Sequence, residues 1–317
     1  MIDGYGRKIN YLRLSVTELC DLRCRYCMPE DGICKKPHEE VLTEEETVMA
    51  VKAAATLGIS KLRITGGEPL VKKNILSICE KTAAVDGINE VCITTNGILL
   101  PKYASDLKKA GIRRVNISLD TLDEKKYSYI TRRGELKDAL SGIGSALKAG
   151  FEKVKINVVL IGGFNDGEIP ALSGLTLKYP VDVRFIELMP MYEGSGFDAS
   201  AYIPCSKVTD VLPNLVSVPH DGGVARLYKL PGALGNIGLI SPISNHFCAA
   251  CNRIRLTADG RIKPCLHSSD EFLIKGLSYE AMTEQFRRAV MSKPEFHCEL
   301  SSKSRSLAGR SMNKIGG

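Results

Sequence analysis

The chain has 317 residues, enough for two domains or one large barrel with an extension, and its 44% hydrophobic and 25% charged residues are those of a globular protein. That composition excludes wholesale disorder, collagen and low-complexity classes, and no apolar run approaches the roughly 18 residues of a membrane-spanning helix. The net charge of +7 is modest and spread along the chain, which fits an anionic small ligand as well as a nucleic-acid groove, while no Trp and 6% aromatics give little support to base stacking.

The first residues, MIDGYGRKINYLRLSV, lack the basic-then-apolar layout of a signal peptide, so the chain reads as a cytoplasmic protein. From about residue 9 to 190, short β-rich runs alternate with longer helical stretches. The β-rich runs cover 9–16, 61–67, 90–97, 113–120, 154–161 and 181–188. Helical spacing marks 43–58, 74–85, 101–111 and 137–150, and several of these end in Gly. Such alternation predicts βαβ units and a parallel sheet. Six units cannot complete an eight-fold barrel, which leaves a partial barrel or a doubly wound sheet. Either would gather ligands at the C-terminal ends of its strands.

The pattern breaks near 191–218. Shorter β-like runs follow at 225–230 and 236–243, then RIRLTADGRIKPCLH at 253–267 with a turn at Asp259-Gly260. A helix over 279–293 leads into the polar tail SSKSRSLAGRSMNKIGG. A boundary near 215 therefore divides a domain of 1–215 from one of 216–317.

Eleven cysteines is an odd number, and disulfides are not expected in a cytosolic chain, so clustered cysteines argue for metal or catalysis. Cys20, Cys24 and Cys27 follow the first strand with C-x3-C-x2-C spacing, which fits three thiolates on one loop around one polynuclear centre. A tetrahedral zinc would want a fourth ligand, and the nearest His is His38. Iron–sulfur clusters usually take four thiolates, so three leave one iron open. The bland alternatives are three reduced buried thiols or a zinc knuckle. Cys248 and Cys251, with Cys265 beyond the hairpin, form a second group. There a zinc completed by His246 or His267 competes evenly on spacing with a second cluster. Arg253 and Arg255 tip the balance toward a site that also holds an anion, since i and i+2 share a face of a strand.

The C-x3-C-x2-C motif with Tyr26 before its last Cys resembles the signature of radical S-adenosylmethionine (SAM) enzymes. More narrowly, LRLSVTELCDLRCRYCMP, LRITGGEPL, ITTNG, VNISLD, KINVV, RFIELM, GLISPIS, FCAACNRIRL and the terminal IGG resemble the GTP 3′,8-cyclase family over residues 12–317. The resemblance implies an α/β fold, a partial (βα)6 TIM-like barrel with a smaller C-terminal β-rich extension closing its mouth. It implies a [4Fe–4S] cluster on Cys20, Cys24 and Cys27 whose open iron takes SAM, giving a 5′-deoxyadenosyl radical. A second [4Fe–4S] cluster on Cys248, Cys251 and Cys265 would bind the guanine of GTP. The radical would take hydrogen from ribose C3′, and C3′ would attack guanine C8, in the first step of molybdenum cofactor biosynthesis.

The implied SAM contacts are Tyr26, Gly66, Gly67, Glu68, Ser118 and Met189. No phosphate-cradling G-x-x-x-x-G-K-[ST] loop occurs, so charge at the triphosphate must come from side chains. Arg13, Arg63, Lys155, Arg253 and Arg255 are the candidates, with a hydroxyl from Thr94 and a weaker candidate in Arg184. Catalytic roles fall on Arg253, Arg255 and the terminal Gly316 and Gly317, on a flexible tail reaching back into the cavity. Lys314 departs from the resemblance, which would place Tyr there. The implied partners are GTP, a cyclic pyranopterin monophosphate synthase receiving the product and an electron donor the sequence does not identify. A homodimer fits the family, though no apolar stripe demands it, and neither nucleic acid nor membrane is expected.

Cys79 and Cys92 read as core, while Cys34, Cys205 and Cys298 have no partner spacing. His220, His246, His267 and His297 form no constellation, and radical chemistry needs no obvious general base. Two rivals stand beside this reading. One is a peptide-modifying radical SAM enzyme with an auxiliary cluster, which would show an acidic or peptide-binding surface. The other is a non-catalytic zinc-binding or nucleic-acid-binding module.

Overall fold

Alternation along each strand decides the architecture. In β1 (Tyr11–Ser15) Leu12 and Leu14 are fully buried in the core, whereas Tyr11 and Arg13 between them line a cavity. The same division recurs in β2 (Lys61–Thr65), β3 (Glu90–Thr95), β4 (Ile112–Ser118), β5 (Lys153–Leu160) and β6 (Val181–Glu187). Leu62, Val115, Ile156 and Val183 join the core, while Arg63, Asn116, Lys155 and Arg184 line the cavity. This computed structural model describes residues 1–191, 197, 199–219, 222–298, 300 and 306–316.

Strands β1 to β6 pair in parallel in chain order. A doubly wound sheet needs a reversal of strand order, so this sequence of neighbours selects the partial barrel. The C-terminal part adds β7 (Val216–Ser217), β8 (Arg226–Lys229), β9 (Ile237–Ile240), β10 (Arg253–Leu256), β11 (Arg261–Lys263) and β12 (Phe272–Leu273). Its strands extend both flanks of the sheet. β9 pairs in parallel with β6 and β10 in parallel with β1, while the outer strands continue each flank antiparallel. β9 and β10 are not hydrogen-bonded to each other, so eight parallel strands form an arc rather than a closed barrel. Residues 241–252 join the end of β9 to the start of β10.

The outer layer holds α1 (Glu44–Thr56), α2 (Ile75–Ala83), α3 (Leu100–Lys109), α4 (Glu124–Thr131), α5 (Leu136–Lys148), α6 (Ile169–Ser173), α7 (Leu175–Lys178) and α8 (Ser206–Val211). α9 (Tyr279–Met291) packs against α1, and α10 (Met312–Ile315) is a single late turn. A capping box starts α1: the Thr43 hydroxyl accepts from Glu46 N, and Thr43 N donates to the Glu46 carboxylate. Helix α4 was not expected from spacing. Asp123 caps it by accepting from Lys126 N at 2.9 Å, and only Tyr127, Ile130 and Thr131 are buried along it. That stripe is too short to stand out as a helical period.

Candidate active site

The loop after β1 carries the first cysteine group and is tied down from two sides. Arg23 N and Arg25 N donate to the carbonyls of Thr131 and Ile130 at the end of α4, at 3.0 and 2.9 Å. Tyr26 donates its hydroxyl to Asp120 Oδ2 at 2.7 Å, and Asn96 Nδ2 donates to Asp21 Oδ1 at 2.7 Å. A Cβ on Gly66 would meet Thr17 O at 2.6 Å, and one on Gly67 would meet Glu18 O at 2.6 Å. The close approach that requires these two glycines is thus to the backbone leading into Cys20.

All eleven cysteines are free thiols. Burial, then the charges of Asp21 and Glu68, pushes the Cys20 thiol well up; burial and the neighbouring Cys27 do the same to Cys24. Burial alone pushes Cys27 up to about 12. The charges acting on Cys20 and Cys24 are negative, so three thiolates would coexist here only with a cationic centre among them. A polynuclear iron–sulfur centre fits that demand.

Beside this loop, Glu68 is buried and accepts from Leu70 N, Thr95 Oγ1 and Asn96 N at 3.0, 2.8 and 2.7 Å. Burial outweighs these bonds and raises its carboxyl to about 7. Ser118 at the end of β4 and Met189 beyond β6 line the same wall.

Guanidinium groups crowd the opposite wall. Arg63 Nε donates to the Tyr11 hydroxyl, and its Nη1 donates to Thr94 Oγ1 at 3.3 Å. Lys155 Nζ lies 3.7 Å from Asp182 Oδ2. Register sets Arg13 beside Arg63 on β2 and beside Arg255 on β10. Burial, then the neighbouring Arg255 and Arg63, pulls Arg13 well below the usual range; burial and Arg253 bring Arg255 down to about 10. Side chains so strained by like charge call for an anion between them.

The second cysteine group lies on the 241–252 connection and on the hairpin after β11. Arg7 Nη1 donates to Cys248 O at 2.9 Å. Lys293 Nζ donates to Arg253 O at 3.0 Å and Pro264 O at 2.9 Å, bracing the residues beside Cys251 and Cys265. Burial opposes the Cys251 thiolate, but Arg253 and Lys293 prevail and hold the thiol at about 7. His267 instead faces Ser306 Oγ at 3.0 Å, and His246 packs edge-on to Phe296. Among the described residues no three His, Cys, Asp or Glu converge tightly enough for a single metal ion. Cys248, Cys251 and Cys265 all line the cavity, and three thiols are a donor set that an iron–sulfur centre takes.

A cavity of about 440 Å³ is lined by both cysteine groups and by Tyr26, Gly66, Gly67, Glu68, Ser118, Met189, Arg13, Arg63, Thr94, Lys155, Arg253 and Arg255. It is not confined to the C-terminal strand ends. Tyr11, Lys61 and Arg253, at strand starts, line it as well, because inward positions carry polar side chains where a closed barrel would pack branched apolar ones. Gly316 is buried beside the arginines, its carbonyl accepting from Arg255 Nη1 at 2.6 Å. Gly317 and His220 lie outside the described residues.

Several lining residues escaped the sequence reading. Asp120 anchors Tyr26 and takes Val159 N at 2.7 Å; its only signal was its place at the end of a strand. Asn313 donates to Glu18 O at 3.2 Å, and the cavity is also lined by Lys61 on β2 and by Lys293 and His297 on the segment after α9. His297 sets Nδ1 2.6 Å from Cys298 O and Nε2 2.9 Å from Pro242 O, and contact with Cys248, then these carbonyls, raises it to about 9. Nothing local in the sequence marks a histidine that will bridge the next residue's carbonyl and that of Pro242, 55 residues away. Cys79, Cys92 and Cys205 are buried; the Cys205 thiol faces the carbonyls of Phe185 and Ile240.

A family model described as the Radical SAM superfamily matches residues 14–175, and one described as Molybdenum Cofactor Synthesis C matches 181–298. The chain is 50% identical to a GTP 3′,8-cyclase of Alkaliphilus oremlandii and 46% identical to one of Alkaliphilus metalliredigens, each alignment covering 100% of both chains. Among solved structures it resembles Streptococcus suis SuiB bound to S-adenosylmethionine, with a TM-score of 0.60 at 18% identity, covering 86% of this chain and 64% of that one. At that identity the likeness is one of fold.

Proposed function

The chain belongs to the GTP 3′,8-cyclase family of radical SAM enzymes, and from that premise we propose how its cavity divides the reaction among its residues. The activity is that of a lyase in the first step of molybdenum cofactor biosynthesis: GTP becomes (8S)-3′,8-cyclo-7,8-dihydroguanosine 5′-triphosphate by loss of the ribose C3′ hydrogen and attack of C3′ on guanine C8. Its cofactors are two [4Fe–4S] clusters and SAM, which when bound supply one-electron cleavage of the sulfonium to a 5′-deoxyadenosyl radical.

In the proposed division, Cys20, Cys24 and Cys27 hold the SAM-cleaving cluster. Glu68 accepts from the methionine ammonium, Tyr26 and Met189 border the adenine, Ser118 meets the ribose or carboxylate, and Gly66-Gly67 let the cysteine loop settle against β2. Cys248, Cys251 and Cys265 hold the second cluster and orient the guanine. Arg13, Arg63, Thr94, Lys155, Arg253 and Arg255 take the triphosphate, and the Gly316-Gly317 end works beside Arg253 and Arg255 near the reacting ribose. The observation that supports this division is that both cysteine groups and the crowded arginines line one cavity. A domain boundary near 215 fits it, with the first cluster before and the second after.

Beyond the cavity, we place the protein in the cytoplasm, its product passing to a cyclic pyranopterin monophosphate synthase and its electrons coming from an external donor; a homodimer fits the same reading. No described helix is long and apolar enough to cross a membrane. The test is anaerobic turnover with SAM, GTP and a reductant, read by mass spectrometry. Cys24→Ala should abolish 5′-deoxyadenosine formation. Cys251→Ser should lose the cyclised product while still cleaving SAM without substrate. Undiminished 5′-deoxyadenosine from Cys24→Ala would refute the first group's assignment, and loss of both activities from a folded Cys251→Ser would refute the division.

A further inference from the structure

Three carboxylates from three distant segments meet one arginine of the C-terminal tail. Arg310 presents a fork to Glu271, with Nε 2.6 Å from Oε1 and Nη2 2.7 Å from Oε2. Its Nη1 lies 2.9 Å from Asp259 Oδ2 and 3.9 Å from Glu18 Oε1. Lys36 lies 2.7 Å from both Glu18 and Asp259, and Arg261 Nε lies 3.5 Å from Glu271 Oε2 and 4.0 Å from Asp259 Oδ2. The fully buried Lys263 donates to Ser268 O and adds Glu271 and the Ala308 carbonyl at 3.3 and 3.4 Å. The elements joined are the approach to the first cysteine loop, the loop beyond it, the turn after β10, the segment before β12 and the tail.

The group stands at the head of a short lever. Ser311 follows Arg310, α10 makes one turn, and the chain then places Gly316 in the left-handed region at φ 86. A Cβ on Gly316 would lie 2.5 Å from Thr65 Oγ1 and 2.9 Å from Ser15 Cβ, so only glycine fits. Midway, the Asn313 side chain reaches the Glu18 carbonyl. At the end, Arg255 Nη1 grips Gly316 O. Exposed ion pairs contribute little, but a bidentate arginine that is only 15% exposed and sits among three part-buried carboxylates is another case.

We infer that Arg310 is a positioning residue for the reaction. Through this clasp it seats residues 311–316 in the cavity, setting the Gly316 carbonyl on Arg255 and thereby the direction in which Arg255 faces substrate. The inference rests on the proposed part of the tail in the reaction and adds what holds the tail there.

The experiment compares wild type, Arg310→Gln and Arg310→Lys, all reconstituted anaerobically. Three quantities are read: hydrogen exchange of the 311–316 amides, 5′-deoxyadenosine formed without GTP, and 5′-deoxyadenosine formed per GTP cyclised. Arg310→Gln should speed exchange of the tail amides by about tenfold or more, as for loss of a charge-assisted bond. It should leave iron content and substrate-free SAM cleavage near wild type, and raise 5′-deoxyadenosine per product about tenfold. Arg310→Lys, which keeps the charge and loses the fork, should fall between. Unchanged tail exchange in Arg310→Gln overturns the clasp. Freed tail amides with unchanged coupling would keep the clasp and overturn the tail's part in the reaction. Should Arg310→Gln lose iron or unfold, the Lys variant decides at wild-type iron content: faster tail exchange with weaker coupling supports the inference, and wild-type exchange overturns it.

Discussion

Arg253 and Arg255 sit two residues apart on β10, their charges bear on Arg13, and both line the cavity. Arg253→Ala and Arg255→Ala should therefore weaken GTP by the worth of a charge-assisted contact, about 1.5–3 kcal/mol. That is roughly a ten- to hundred-fold rise in dissociation constant. Guanosine, which lacks the phosphates, should bind almost as before. Paired anaerobic titrations decide it: equal losses for both ligands would mean the arginines shape the cluster loop and leave the anion to Arg13, Arg63 and Lys155. Glu68 makes a second prediction, about pH. Its folded value of about 7 stands above the ordinary 4.5, because burial outweighs its three hydrogen bonds. An acid raised in this way is held neutral by folding, so in the absence of SAM the fold loses stability as pH rises from about 4.5 to about 7. SAM acts in the opposite sense, since its ammonium favours the carboxylate. The SAM dissociation constant should be flat above about 7 and rise toward about tenfold per unit below it, and Glu68→Gln should flatten the profile. A flat wild-type profile across neutrality would remove Glu68 from the ammonium site.

At the scale of elements, the hairpin of β10 and β11 depends on a lysine far along the chain. Lys293, just past α9, is 3% exposed and ties Arg253 O to Pro264 O, the neighbours of Cys251 and Cys265. Lys293→Met would leave two buried carbonyls without their donor. We expect it to lower iron to about half on reconstitution while substrate-free SAM cleavage persists; full iron content would show that the hairpin needs no such brace. The six parallel strands were legible in the sequence because each carries an apolar set at every second residue, and the cysteine groups because their spacing is local. The same alternation also marks the face that lines the cavity, where Arg13, Arg63 and Lys155 were expected. Parallel strands covered on both faces run continuously apolar, so Leu12, Arg13 and Leu14 or Leu62, Arg63 and Ile64 already say that one face of this sheet is wet. Asp120, Lys293 and His297 could not be read that way. Each acts on a backbone or side-chain partner 40 to 94 residues distant in the chain, and only the folded sheet brings the two together.

For the whole molecule, the decisive feature is the gap in the arc. Strands β9 and β10 end the parallel run on its two sides without bonding to each other, and residues 241–252 make the connection between them. That connection is held at its start by Glu187, which accepts from Ile243 N and Ser244 N at 2.9 and 3.0 Å, and near its end by Asn252, whose carbonyl takes Asn10 N and Tyr11 N at 3.2 Å. Between these anchors lie Cys248 and Cys251, with Cys265 on the far flank. A cluster on these three thiols would therefore cross-link the two flanks where the sheet supplies no ladder, and ligand affinity for the folded arrangement becomes stability of that arrangement. Loading the second cluster should slow amide exchange in 237–256 far more than in β3 and β4, on the opposite side of the arc. It should also raise the thermal midpoint by a few degrees, at about 2–4 °C per kcal/mol for chains somewhat shorter than this one. Cys251→Ser should lose both effects and keep the increment from the first cluster. Uniform protection across the sheet on loading, or a midpoint in Cys251→Ser equal to that of the fully loaded protein, would show that the arc holds its shape without a clamp at its gap.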